Sequence, residues 1–257
     1  MTTTPSGKSF PWRLRLFHEG FASIRAEWAG RTFRFDPFEP VEEEDQVVLT
    51  WHQPEHTDVL MGALKSGSRV RVLADAALHP WLQEGGSPQL SAPGGYVDKE
   101  ILVEAMAYAP RQINENLAKA SAALMNPSQA ARHLLNRTRQ PESEPQVIQV
   151  TFPDGGRLLH LGCSLHRGTD AEWLRRAQEH FGAADWIIVG MEPGEEAAVS
   201  EMITAFEGKF VHITDLVNEK RAELGLSVNI LTLPVDALRD AGVEAFPFVS
   251  GAGYRYE

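Results

Sequence analysis

Gln46-Val-Val-Leu-Thr50, followed directly by Trp51-His-Gln-Pro-Glu-His-Thr-Asp58, is the stretch that decides the fold. The first five residues read as a short buried strand, and the next eight gather side chains of metal-ligand and general-base type. Thr57–Lys65 then has helical spacing, with Val59, Leu60, Ala63 and Leu64 on one side, and Ser66-Gly67 stops it. Such strand-to-helix junctions are where α/β proteins build sites, because side chains converge there and helix N-termini favour anions.

Working outward, the upstream chain alternates apolar and polar residues in the manner of half-buried strands. Arg13–Phe17, Phe21–Trp28 and Thr32–Phe35 are the three strands, Ala29-Gly30 is the turn between the last two, and Asp36-Pro37 ends the unit. The acidic run Glu42–Asp45 reads as a solvated loop. Downstream, Arg69–Ala74 and Ile101–Ala107 are strands separated by a loop rich in Gly, Ser and Pro over Gly85–Gly95. Between Ile113 and Arg137 the composition turns to Ala, Leu, Asn and Gln, giving two helices broken at Asn126-Pro127. This is a helical insert over about residues 111–140, left through Gln140–Pro145.

A second alternating half follows. Strands Val147–Phe152 and Arg157–Leu161 flank Pro153-Asp-Gly-Gly156; then come helix Asp170–Phe181, strand Trp186–Val189, helix Glu195–Phe206, strand Phe210–Ile213 and helix Asp215–Leu224. The order predicts an α/β class. Gly30-Arg-Thr-Phe-Arg-Phe-Asp36 and Gly156-Arg-Leu-Leu-His-Leu-Gly162 echo each other, as expected of a sandwich with two similar halves.

Composition narrows the partners. The chain has 257 residues, 43% hydrophobic and 23% charged, and 24 Lys+Arg against 35 Asp+Glu leave a net charge of −11. No basic run offers a surface to nucleic acid or anionic membrane, so neither is an expected partner. A lone cysteine, Cys163, excludes a disulfide framework within the chain and a four-thiolate zinc site. Neither an apolar h-region in Met1–Phe10 nor a membrane-span-length apolar run is present, and a cytoplasmic location is expected.

Two local motifs compete for the chemistry. His52-Gln-Pro-Glu-His56 matches the H-x-x-E-H zinc-peptidase pattern, but that pattern needs both histidines on one helix face, and Pro54 inside a helix costs roughly 3 kcal/mol. Asp58 or Thr57 capping the helix is the simpler reading of this segment. Gly162-Cys-Ser164 resembles a nucleophile elbow, yet His166 stands where the last glycine belongs. Cys163 is a thiolate ligand or buried filler. His18, His79, His133 and His180 have no partner nearby in sequence and read as structural.

Gly20-Phe-Ala-Ser-Ile-Arg25, Gly30-Arg-Thr-Phe-Arg-Phe-Asp-Pro-Phe38, Val47-Val-Leu-Thr-Trp-His-Gln-Pro-Glu-His56 and His160-Leu-Gly-Cys163, taken together, resemble the metallo-β-lactamase superfamily, nearest to the branch of L-ascorbate-6-phosphate lactonase. The resemblance implies an αββα four-layer sandwich formed by one domain over 1–257, with its site where the strands end. It also implies two metal sites, and the departures bear on both. Where the family's H-x-H-x-D-H is expected, this chain has Trp51, Gln53, Glu55 and His56. Phe21 replaces the histidine of G-H-A-S, and Tyr108-Ala-Pro-Arg111 stands where a third histidine of the first site belongs.

The second site keeps donors. Glu55 can replace the family's aspartate, His56 is in place, Cys163 occupies the position of the bridging aspartate, and the last histidine falls at Thr214, with His212 two residues away on the same strand face. Glu55, His56, Cys163 and His212 thus form a candidate site for one zinc, with oxygen, nitrogen and sulfur donors that zinc accepts.

Two readings follow. One is a relative with a degenerate metal site, without dinuclear hydrolysis or any bound metal, that binds a small-molecule ligand or a protein partner. The other is a one-zinc hydrolase of an ester, lactone or phosphodiester, with His52 or Asp58 as general base. The insert offers a homo-oligomer contact or a lid through Ile113, Leu117, Leu124, Leu134 and Leu135.

Overall fold

Alternating strands of the first unit close as antiparallel neighbours through a turn in which two successive residues carry positive φ, Ala29 at 47° and Gly30 at 79°. That pairing of angles matches the right-handed twist of a hairpin, and it places the turn where the Ala-Gly pair predicts it. The computed structural model describes residues 2–3, 13–20, 23–51, 54–97, 100–108, 143–162, 170–191, 195–214, 235–240 and 242–256. The predicted insert helices, the helix Asp215–Leu224, and His52, Gln53, Cys163, Ser164 and His166 lie outside these residues.

The strands of the first half are β1 (Thr2–Thr3), β2 (Leu14–Gly20), β3 (Ser23–Trp28), β4 (Arg31–Phe35), β5 (Gln46–Val48), β6 (Arg71–Leu73) and β7 (Gln89–Ser91). Those of the second are β8 (Gly95–Val97), β9 (Ile101–Ala107), β10 (Gln146–Thr151), β11 (Arg157–His160), β12 (Trp186–Gly190), β13 (Phe210–Thr214) and β14 (Glu244–Phe248). A last strand, β15 (Gly253–Tyr256), returns to the first sheet. The two sheets run in the orders β1-β15-β2-β3-β4-β5-β6-β7 and β14-β13-β12-β11-β10-β9-β8.

Both sheets are built to one plan. From β15 to β7, three antiparallel pairings are followed by three parallel ones. From β8 to β14 the same series recurs. The sequence echo is therefore structural, but displaced by one residue. Gly30 corresponds to Gly155, at φ 79° and 85°, and the inward-facing pairs are Phe33 with Leu158 and Phe35 with His160.

Three apolar clusters define four layers. Leu14, Leu16, Phe33, Phe35, Ile148, Val150, Leu158 and Trp186 fill the space between the sheets. On the outer face of the second sheet, helices α3 (Ala171–Phe181) and α4 (Glu196–Ala205) bury Trp173, Leu174, Val199 and Ile203 against Leu159, Ile187, Val189 and Val211. On the outer face of the first, α1 (Pro54–Lys65) and α2 (His79–Gly85) set Leu60, Leu64 and Leu82 against Val47, Val70 and Val72. The αββα sandwich is thus observed as expected. A fifth helix, α5 (Val235–Asp240), precedes β14.

Several expectations are corrected. The Gly85–Gly95 loop contains β7, a three-residue edge strand too short to show alternation. Residues 76–85 are helical, opened by Asp75, whose carboxylate accepts the Ala77 N–H at 2.9 Å. α1 begins at Pro54, so Thr57 and Asp58 lie within the helix and do not cap it. Proline at a helix start has no N–H to waste, which is why Pro54 is tolerated there. Among the described residues no helix is long and apolar enough to cross a membrane.

Candidate functional site

The C-terminal ends of the parallel strands from both sheets meet at one edge. Phe35, the last residue of β4, stacks on His160, the last of β11, with centroids 5.1 Å apart and planes 11° from parallel. Beside them the Thr50 carbonyl, just past β5, accepts the Gln146 N–H that opens β10 at 2.8 Å. The Trp51 indole N–H reaches the Ser143 carbonyl at 3.1 Å. These contacts fix the segment Thr50-Trp51, which leads into α1, against the second sheet.

Asp36 holds that segment from the other side. It sits at φ 47°, a left-handed conformation that Asp tolerates better than most residues. Its Oδ1 accepts the Thr50 N–H at 2.8 Å and its Oδ2 the Thr50 hydroxyl at 2.5 Å, with the residue 1% exposed. Both oxygens therefore act in positioning the junction. Sequence alone marks Asp36-Pro37 only as a strand terminator; the signal for its wider role is the paired Thr50, legible once β4 and β5 are neighbours.

His160 is likewise buried, and its Nδ1 accepts the Gly162 N–H at 2.9 Å. That nitrogen consequently carries no proton. Gly162 has φ 75°, a turn that brings its own N–H back onto the ring.

The predicted site residues fall as follows. Glu55 and His56 are in the first turn of α1, at the edge just described, and their side chains lie outside the described residues, as do His52 and Cys163. Asp58 is exposed on α1. His212 is fully buried in β13, with Nε2 2.6 Å from the Tyr256 hydroxyl and rings of Phe246, Phe248 and Tyr254 around it. Burial pushes its pKa down from the usual 6.5 to about 3, so the ring is neutral. Its Nδ1 has no hydrogen-bond partner among the described residues. Burial also pushes the Tyr256 hydroxyl pKa well up. Thr214, at the end of β13, is buried with its hydroxyl toward the Val189 carbonyl at 3.4 Å.

Among the described residues no group of three or more His, Cys, Asp or Glu is placed to hold a metal ion. Of the positions that the resemblance associates with a first cation, the two described ones, Trp51 and Tyr108, do not fit one. Trp51 offers an N–H donor already given to Ser143 and no lone pair. Tyr108, past β9, is buried with its ring centroid 4.4 Å from that of Trp173. For a second cation the described donor is His212 Nδ1, a neutral ring nitrogen.

Neither a family model nor a curated protein sequence matches the chain. Solved structures do. Igni18, a metallo hydrolase from the hyperthermophilic archaeon Ignicoccus hospitalis, is 13% identical with a TM-score of 0.63, over 95% of this chain and 99% of that one. Isothiocyanate hydrolase from Delia radicum gut bacteria is 11% identical with a TM-score of 0.59, over 93% and 97%. CmlA, a diiron β-hydroxylase from Streptomyces venezuelae, is 13% identical with a TM-score of 0.61, over 94% of this chain and 53% of that one. At these identities the likeness is one of fold, and that fold is the metallo-β-lactamase sandwich.

Proposed function

We propose that the protein binds a small molecule at the strand-end edge and does not carry out two-metal hydrolysis. The observation that carries this reading is the Trp51 indole, fixed to the Ser143 carbonyl at 3.1 Å where the resemblance expects an imidazole ligand. A dinuclear hydrolase holds its attacking hydroxide between two cations, and an indole has no lone pair with which to coordinate a metal ion.

A second reading, a one-zinc hydrolase, is favoured by the bare, neutral His212 Nδ1. The metal-dependent neighbours lend support to a metal cofactor in general terms. Glu55, His56, Cys163 and His212 would hold the ion, which when bound supplies Lewis acidity and a lowered water pKa. In that case His52 or Asp58 is the residue to accept a proton from the attacking water. Asp36 and His160 set the directions of the segments bearing Glu55-His56 and Cys163.

Metal analysis after zinc supplementation separates the readings. Zinc far below stoichiometric, unchanged in His56→Ala, supports the first. Roughly one zinc, lost in both Cys163→Ala and His56→Ala, supports the second. Two tightly held ions per chain overturn both.

A further inference from the structure

Among the described residues, three large hydrophobic side chains are exposed: Phe38 at 41%, Val249 at 51% and Tyr96 at 68%. Phe38 and Val249 lie in loops at the edge where the strands end, one just after β4 and the other just after β14. Phe38 follows the Asp36 latch by two residues, and a Cβ built on Gly20 would come within 3.2 Å of the Phe38 ring and 3.7 Å of the Ser250 hydroxyl. Gly20 itself has φ 122°, a region that disfavours side chains. The end of β2 is thus bare, and Phe38 and Ser250, with Val249 beside it, close over it.

Both loops are anchored. The Phe38 N–H donates to the hydroxyl of fully buried Ser23 at 3.0 Å. The Gly251 N–H donates to the His18 carbonyl at 2.8 Å, and the Ala252 N–H to the Val249 carbonyl at 2.9 Å. An exposed aromatic on a fixed backbone loses little freedom when something packs on it, which distinguishes it from an apolar residue on a free loop. The neighbouring charges set a further condition. Glu39 and the exposed Glu42, Glu43 and Glu44 follow Phe38, whereas Arg34 is 2.9 Å from Asp45 and 3.3 Å from Glu19, and Arg25 is 2.9 Å from Glu19. Arg25 and Arg34 are thus committed to carboxylates, so among the described residues the charge an anion meets on arriving at Phe38 is net negative.

We infer that Phe38, with Val249 next to Ser250 in the loop that meets the same Gly20, forms a specificity-determining lip that takes the apolar face of a ligand that is not an anion. This rests on the reading that a small molecule binds at this edge, and names its chemical class. Tetraphenylphosphonium and tetraphenylborate, alike in shape and opposite in charge, are the probes, titrated calorimetrically into the full chain. The phosphonium is expected to bind the more tightly, and Phe38→Ala and Val249→Ala are each expected to weaken it, the first by about tenfold, ~1.4 kcal/mol.

Phe38→Leu should retain most of the binding, and Tyr96→Ala, remote in sequence from both loops, should retain all of it. Undiminished binding in Phe38→Ala, equal loss in Tyr96→Ala, tighter borate than phosphonium, or no phosphonium binding at all each overturns the lip. All variants change exposed side chains, and their unfolding midpoints report that the fold is kept. Two metal ions per chain, by contrast, would sink the functional reading while leaving the probe comparison intact.

Discussion

Phe35 and His160 stack across the interior at 5.1 Å, and each is the final residue of the corresponding strand in its own sheet. One aromatic pair therefore clamps the two halves together directly beneath the edge that carries the candidate site. His160→Ala removes the ring and the acceptor for the Gly162 N–H, and is expected to cost about 2–4 kcal/mol. His160→Phe keeps the stack and loses the acceptor for the Gly162 N–H, for about 1–2 kcal/mol. Urea unfolding of the two variants should rank them in that order; equal losses would show that stacking contributes nothing.

Asp36 and Thr50 make a second prediction. Thr50→Val deletes the hydroxyl donor while preserving shape, leaving one buried carboxylate oxygen short of a partner, and should cost about 1–3 kcal/mol. Asp36→Ala should cost more, since the Thr50 N–H also loses its acceptor and alanine tolerates positive φ poorly. Denaturant midpoints of both variants, with unchanged m-values, provide the check.

His212 should make the metal-free protein acid-sensitive. Its folded pKa of about 3 lies below the 6.5 of the unfolded chain, so the unfolded state binds more protons at mildly acid pH. The stabilisation from a neutral His212 is complete above pH 6.5, declines below it, and levels off near pH 3. Between pH 7 and pH 5 the loss attributable to this residue is about 2 kcal/mol. With chelator present, His212→Phe should flatten the stability profile over that interval; a profile parallel to the parent's would reject the assignment.

Two glycines give opposite expectations for one substitution. A Cβ at Gly86 would fall 2.5 Å from the Leu64 carbonyl oxygen, a backbone atom, while at Gly62 nothing lies within 4 Å. Gly86→Ala should therefore destabilise by about 1–3 kcal/mol. Gly62→Ala, in the interior of α1, should stabilise by about 0.5–1 kcal/mol through helix propensity. Thermal unfolding should shift in opposite directions.

The strands that alternate were legible from residues alone: Ile101–Ala107 is observed with its predicted bounds, and the Ala29-Gly30 turn is in place. What escaped was the end of the chain. In Glu244-Ala-Phe-Pro-Phe248, Pro247 argues against a strand, yet β14 is an edge strand, where one missing N–H leaves no ladder bond unmade within the sheet. The site divides in the same way. Ligand types at Glu55, His56 and Cys163 are visible as letters, and their meaning came from the resemblance. Asp36 and Phe38 acquire theirs only from contacts between segments distant in the chain, which periodicity does not carry.

The return of β15 to the first sheet has a consequence for biogenesis. Tyr254 and Tyr256 pair with Leu16 and Leu14, so β2 leaves the ribosome long before the strand that flanks it on that side exists. Its apolar row, Leu14 and Leu16, stays uncovered on that side until then. Removal of the closing strand should therefore yield an insoluble chain in the cell, not a working half-protein.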